Sequence, residues 1–231
     1  MMQKNKLLFV LAVFSFLLLS FTKNDSETYV DTGTEAILSE DEYGEKIIQA
    51  LNGDLYAAYD LFEHHLSVPV NSKEEFLQQT SYWAIIAAEN DTYGRNMYTL
   101  YSFNRTFNCI SENRSLIWLQ KSAQLKYKDS LEEIKLLKKS IKNKKDLNSL
   151  SKIFNLEEYK NSAEFGNQHA VIELLNYYKK TDNKAEIKYW LQIGAQNGNK
   201  DCMKEYAAIL KQSGDEYDSI RAKFWEKKAA D

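Results

Sequence analysis

The sequence predicts an all-α protein, an α/α superhelix (solenoid) of about five helix-turn-helix repeats plus a terminal helix. Three observations carry that expectation. A Trp followed five positions later by Ala recurs as Trp83–Ala88, Trp118–Ala123, Trp190–Ala195 and Trp225–Ala230, and this accounts for all four tryptophans of the chain. A second register, Ala-x-x-Gly-x-x-x-small, recurs at Ala50/Gly53/Ala57, Ala163/Gly166/Ala170 and Ala195/Gly198/Cys202. Finally, no segment alternates apolar and polar residues as a half-buried strand does, and a single proline, Pro69, leaves long helices uninterrupted.

The equivalent alanines fall at 50, 88, 123, 163, 195 and 230, with steps of 38, 35, 40, 32 and 35 residues. Two helices and two turns need about that length. Unit one pairs 41–52 with 55–66, and a loop around Pro69 follows, with Asn71 or Ser72 as the N-cap of the next helix. Unit two pairs 74–90 with 92–107, unit three 112–125 with 128–143, unit four 147–165 with 168–179, and unit five 184–197 with 199–212. A last helix over 218–230 closes the stack. The glycines end helices in the left-handed conformation that they adopt without steric cost; Asp91 and Lys126 stand where two such glycines would be. The tryptophans and alanines make one packing code. Small residues let helices cross closely, and each indole fills the wider gap beside the crossing.

Ahead of the repeats, Lys4 and Lys6 precede an apolar stretch, Leu7–Phe21, of fifteen residues. The order of basic, apolar and small residues predicts a secretory signal peptide over 1–22, or an N-terminal anchor if it stays uncleaved. The stretch is shorter than the ~20 residues that span a bilayer. Residues 23–40 are polar and acidic, a flexible leader; the repeat domain covers 41–231. The formal charge is −3. Removal of 1–22 takes away two lysines and no acids, giving 28 − 33 = −5. Such a chain is a poor nucleic-acid binder, which needs a concentrated basic face. The run Lys138, Lys139, Lys142, Lys144, Lys145 is the local exception and is expected to be a solvated helix end. Cys109 and Cys202 lie two or three repeats apart, so both are expected to be free and buried.

The pattern resembles the Sel1-like repeats, relatives of the tetratricopeptide repeat. The closest unit contains Asp218, Arg221, Ala222, Trp225, Lys228, Ala229 and Ala230; Arg114, Trp118, Lys121 and Ala123 form a second match, and Trp190–Gly198 a third. The Gly-x-Gly-Val turn of that family is replaced here by Lys180–Lys184 and Gln212–Glu216, and its paired cysteines are missing. The resemblance implies a right-handed α/α superhelix used as a scaffold or partner-binding surface. Some exported members of that family look like immunity proteins, which block toxins delivered into the periplasm.

No catalytic motif is found, and neither a cofactor nor a metal ion is expected. His64 and His65 point about 100° apart on a helix, which suits solvent or capping roles better than chelation. Cys202 fills a small-residue slot, where packing explains it. Tyr93, Tyr98, Tyr101, Tyr177, Tyr178 and Tyr206 belong to the second helices of their units and are the candidate partner-binding residues, with a core role as the alternative. The expectation is a periplasmic or secreted, non-enzymatic repeat protein that binds a protein partner through its solenoid surface. Its sharpest form is an immunity protein neutralising an antibacterial toxin. An envelope adaptor tethered by an uncleaved N-terminus, with membrane contact through that segment alone, is one alternative; an envelope hydrolase or its accessory subunit is the other.

Overall fold

The computed structural model describes residues 37–70, 72–141 and 156–231, with the backbone alone over 138–141. The expected signal peptide, most of the leader and the lysine run from Lys138 to Lys145 therefore lie outside the described side chains. Eleven helices and no strand occur among the described residues. They are α1 (Glu40–Leu51), α2 (Leu55–Ser67), α3 (Lys73–Asn90), α4 (Arg95–Phe107), α5 (Glu112–Gln124), α6 (Lys128–Ile141), α7 (Leu156–Glu164), α8 (Gln168–Lys180), α9 (Lys184–Gln196), α10 (Lys200–Gln212) and α11 (Glu216–Ala230). Consecutive helices pack on one another as hairpins, giving the all-α, solenoid-like arrangement that the repeat predicts.

Local chemistry sets the helix ends. Ser39 and Glu42 form a capping box at α1, and the side chains of Asp54, Ser72, Ser111, Asn167, Asn183, Asn199 and Asp215 each accept a backbone N–H at the start of a helix. Of the two candidates before α3, Ser72 is the cap. Lys126 takes up the left-handed conformation itself, at φ 65°. Asp91 does not; its carboxylate accepts from the N–H groups of Tyr93, Gly94 and Met97, so α4 starts at Arg95, three residues later than expected.

All four indoles are buried: Trp83 on α3, Trp118 on α5 and Trp190 on α9, each the first helix of a hairpin, and Trp225 on the terminal helix α11. Ala50, Ala88, Ala163 and Ala195 beside them are buried too. Two apolar clusters result. One is centred on α1–α4 and includes Leu61, Phe62, Trp83, Leu100 and Phe103; the other joins α8–α11 through Leu174, Trp190, Met203, Tyr206 and Trp225.

The clusters belong to two matching halves, α1–α6 and α7–α11. Trp190 − Trp83, Arg221 − Arg114, Trp225 − Trp118 and Lys228 − Lys121 all give a separation of 107 residues. Before the second hairpin, Gly166 − Gly53 and Ala170 − Ala57 give 113, so the first half carries six extra residues around the α2–α3 connection. Packing repeats as well. The buried set Ala57, Ala58, Leu61, Phe62 and His65 of α2 returns in α8 as Ala170, Val171, Leu174, Leu175 and Tyr178.

A plain solenoid packs each repeat on its neighbours only. Here α11 returns to pack on α1, and its equivalent α5 packs on α7. The glycines at the two seams show why. At Gly53 (φ 109°) a Cβ would stand 2.9 Å from the Phe224 ring, and at Gly166 (φ 88°) it would stand 3.3 Å from Ile117. Phe224 and Ile117 are again 107 residues apart, so each half lays an apolar side chain over the other half's glycine turn.

Candidate functional site

The first helices of the hairpins meet in the middle of the molecule, and the surface that a solenoid would leave open is closed by polar side chains. Helix carbonyls explain their presence, because the last carbonyls of a helix have no partner within it. On α11, the Arg221 guanidinium donates to the Leu51 carbonyl at the end of α1 (3.3 Å), to Asn90 Oδ1 (2.9 Å) and to Glu89 Oε2 (2.6 Å) at the end of α3. On α5, Arg114 makes the equivalent set: the Glu164 carbonyl at the end of α7 (3.3 Å), Asn197 Oδ1 (3.1 Å) and Gln196 Oε1 (2.6 Å) at the end of α9. Two turns further on, Lys228 donates to the Glu89 carbonyl (2.8 Å) and Lys121 to the Gln196 carbonyl. Four cations thus clamp four helix C-termini, where the macrodipole favours positive charge. Each half clamps the other, a reciprocity normally met between the subunits of a symmetric dimer.

The reciprocal contacts converge on one pair. Glu89 and Gln196 occupy equivalent positions, 107 residues apart, and bond to each other, Gln196 Nε2 donating to Glu89 Oε1 at 2.6 Å. Gln192 adds a longer bond to the same oxygen, 3.4 Å. Glu89 is 4 % exposed, Arg114 3 % and Arg221 4 %. Burial lowers the Arg114 pKa to about 10, with Tyr189, Glu164 and Glu89 acting in the opposite sense. It brings Lys121 down to about 7, assisted by the positive charges of Arg114 and Lys228 and opposed by Glu89. Lys228 is lowered in the same way. Beside the pair lies a cavity of about 60 Å³ lined by Ala88, Glu89, Met97, Trp118, Lys121, Gln196, Trp225 and Lys228. The lysines flank its aromatic walls, Lys121 Nζ 5.0 Å from the Trp118 ring centroid and Lys228 Nζ 5.4 Å from that of Trp225.

The six candidate tyrosines divide. Tyr101, Tyr178 and Tyr206 are buried; Tyr206 packs edge-on against Trp225 at 6.0 Å, and the Tyr101 hydroxyl donates to Glu133 at 2.9 Å. Those three belong to the core, because the second helices form an outer layer and turn these faces inward. Tyr93 is 65 % exposed, Tyr177 is exposed and Tyr98 is half-buried. Tyr98 lies 6.0 Å from Tyr101 and 5.6 Å from Tyr127, ring to ring, and Arg105 stands over Tyr101 at 5.8 Å while pairing with Glu133 at 2.7 Å. Tyr98, Tyr127 and Arg105 make a tyrosine and arginine patch on the outside of α4 and at the start of α6, over the buried Tyr101.

His64 and His65 are used locally. His64 Nδ1 accepts from the Leu38 N–H at 3.0 Å, and His65 Nε2 lies 3.0 Å from the Tyr43 hydroxyl. Burial lowers both pKa values. Among the described residues no three His, Cys, Asp or Glu side chains converge on a point. Both cysteines are free, Cys202 buried and Cys109 half-buried, and burial pushes each thiol up to about 11. No described helix is long and apolar enough to cross a membrane.

The four cations of the central cluster carry the repeat resemblance in the sequence, but no residue of the cluster is among the candidate partner-binding residues read from it. Its signal is present as Arg114-x₃-Trp118-x₂-Lys121 and Arg221-x₃-Trp225-x₂-Lys228. Spacings of four and three place each trio on one helix face. What each face meets depends on residues up to 170 positions away. Compared with models of known families, with characterised proteins and with solved structures, the chain finds no match.

Proposed function

We propose that this protein is an exported, non-enzymatic repeat scaffold that binds a protein partner through its outer layer of second helices. The observation that carries the reading is the patch on α4 and α6. Tyr98 and Tyr127 present half-buried rings 5.6 Å apart, and the Arg105 side chain beside them is 62 % exposed. Tyr and Arg dominate the energetics of protein interfaces, because a ring hides much area at low entropic cost and a guanidinium makes several directed hydrogen bonds. The inner face is already used by the chain's own clamps, which leaves the outer faces for a partner. In its sharper form the protein is a periplasmic immunity protein and the partner an antibacterial toxin. The formal charge of −5 without residues 1–22 would favour approach to a basic enzyme.

The test is affinity capture from an envelope extract with residues 23–231, followed by reconstitution of the captured protein in purified form. One partner should bind the unaltered chain, and Tyr98→Ala combined with Arg105→Ala should weaken that binding by at least about tenfold, the loss of two interface anchors. A partner that binds both forms equally moves the surface elsewhere. No partner under any condition sinks the reading.

A further inference from the structure

The clamps account for one donated proton of each lysine but not for the cavity between them. An ammonium has three donors. Lys121 uses one on the Gln196 carbonyl and Lys228 one on the Glu89 carbonyl, and both side chains line the cavity. Trp225, also in the lining, is 1 % exposed and its indole N–H meets no acceptor in the protein. A buried donor without a partner is costly, so a ligand that accepts hydrogen bonds would be favoured there. The one carboxylate in the wall offers little opposition, since Glu89 Oε1 already accepts from Gln196 and Gln192, and Oε2 from Arg221.

Charge points the same way. Arg114, Lys121, Arg221 and Lys228 stand against Glu89 alone among the clamping side chains. Counting each of the four clamped helix ends as about half a negative charge still leaves roughly one positive charge in excess below neutral pH, where Lys121 is protonated. Size fits as well. A single water needs about 10–15 Å³ of such space; the roughly 60 Å³ here suits the five heavy atoms of a tetrahedral anion.

We infer that this cavity is a binding site for a small inorganic oxyanion of the sulfate or phosphate class, held by Lys121, Lys228 and the indole N–H of Trp225. The groups that set its charge are Arg114 on the same helix as Lys121, Lys228 and Arg221 on α11, and Glu89 on α3; α9 contributes the neutral Gln196, and α4 the neutral Met97. Because Lys121 loses its proton at about pH 7, the site weakens as pH rises through neutrality.

Sulfate, which stays a dianion over this range, is the probe. The full chain is titrated with sodium sulfate at fixed ionic strength maintained by sodium chloride, by calorimetry, at pH 6.0 and pH 8.5. Saturable binding to one site is expected, about fivefold weaker at the higher pH as the Lys121 proton is lost. Trp225→Phe keeps a ring but removes the donor, and Lys228→Met keeps the aliphatic stem but removes the ammonium; each should weaken binding at least about threefold in protein whose helical circular dichroism matches that of the unaltered chain. Absence of saturation, an equal response to chloride, or variants that bind sulfate as tightly as the unaltered chain would overturn the site.

Discussion

The two halves of the molecule repeat one geometry with different charge. Arg221 reaches across to Leu51, Glu89 and Asn90; Arg114 reaches across to Glu164, Gln196 and Asn197, at nearly the same distances. Only the first set contains a carboxylate. The reason lies where the halves meet. Glu89 and Gln196 touch each other, and two carboxylates at 2.6 Å could not both stay ionised. Carboxylate against amide is the pairing in which each side chain finds both its arginine and its counterpart. Two copies of an identical half could not achieve this, so the difference between the halves is itself an adaptation to their contact.

The largest expected effect comes from breaking the two arginine clamps separately. Arg221→Met leaves the buried Glu89 carboxylate without its cation, a loss of about 3–5 kcal/mol. Arg114→Met leaves only neutral acceptors short of a donor, about 1–3 kcal/mol. Denaturant melts of both variants measure the difference, and equal losses would show that the carboxylate adds nothing to the first clamp. Adding Glu89→Gln to Arg221→Met should recover part of the larger loss, because it removes the unpaired charge.

The halves also differ at their outer ends. In the first, α6 follows α5, and Leu119 on α5 is buried. Its counterpart Glu226, 107 residues on, is exposed on α11 and pairs with Lys211. A closer comparison concerns Ala87 and Gly194, again 107 apart. A Cβ on Gly194 would stand 2.4 Å from Cys202 Sγ and 2.8 Å from its Cβ, so the second half has no room for the methyl group that the first half carries. Gly194→Ala should therefore cost about 1–3 kcal/mol by overpacking. Gly194→Ala with Cys202→Ala should recover only part of it, because the sulfur contact goes while the 2.8 Å contact with the residue 202 Cβ stays, a coupling that a double-mutant cycle reads directly. A cost unchanged by the second substitution would trace the effect to the Cβ of residue 202 and to Val171 rather than to the sulfur.

The hairpins were legible in the sequence because they depend on local rules. Gly53, Gly166 and Gly198 end helices, Ser72 caps one, and the four tryptophans are buried with Ala50, Ala88, Ala163 and Ala195, while Ala123 is half-buried and Ala230 exposed. The closure was not legible. Nothing local distinguishes an arginine that meets solvent from one that reaches a carbonyl 170 residues away, so Arg114 and Arg221 passed as repeat residues without a role. The tyrosines show the same limit from the other side. Tyr177 and Tyr178 are adjacent, yet one is exposed and the other buried, because α8 turns only one of those two positions towards the first helices.

The smallest effect concerns the second pair of clamps and shows in pH dependence. Lys121 has a folded pKa of about 7 against an ordinary value of 10.5. Its lowered value means that the unfolded chain binds more protons between those limits, so stability rises with pH across that window. Below pH 7 the buried ammonium is a standing cost; above it the amine is neutral and the cost fades. Lys228 is lowered too, but its side chain is exposed, and solvent damps the effect. Between pH 7 and pH 9 the unaltered protein should thus gain on the order of 1 kcal/mol through Lys121. Lys121→Met should lose that gain while Lys228→Met retains it. Urea melts at the two pH values measure both slopes, and a Lys121→Met protein that still strengthens by the same amount would place the titrating group elsewhere.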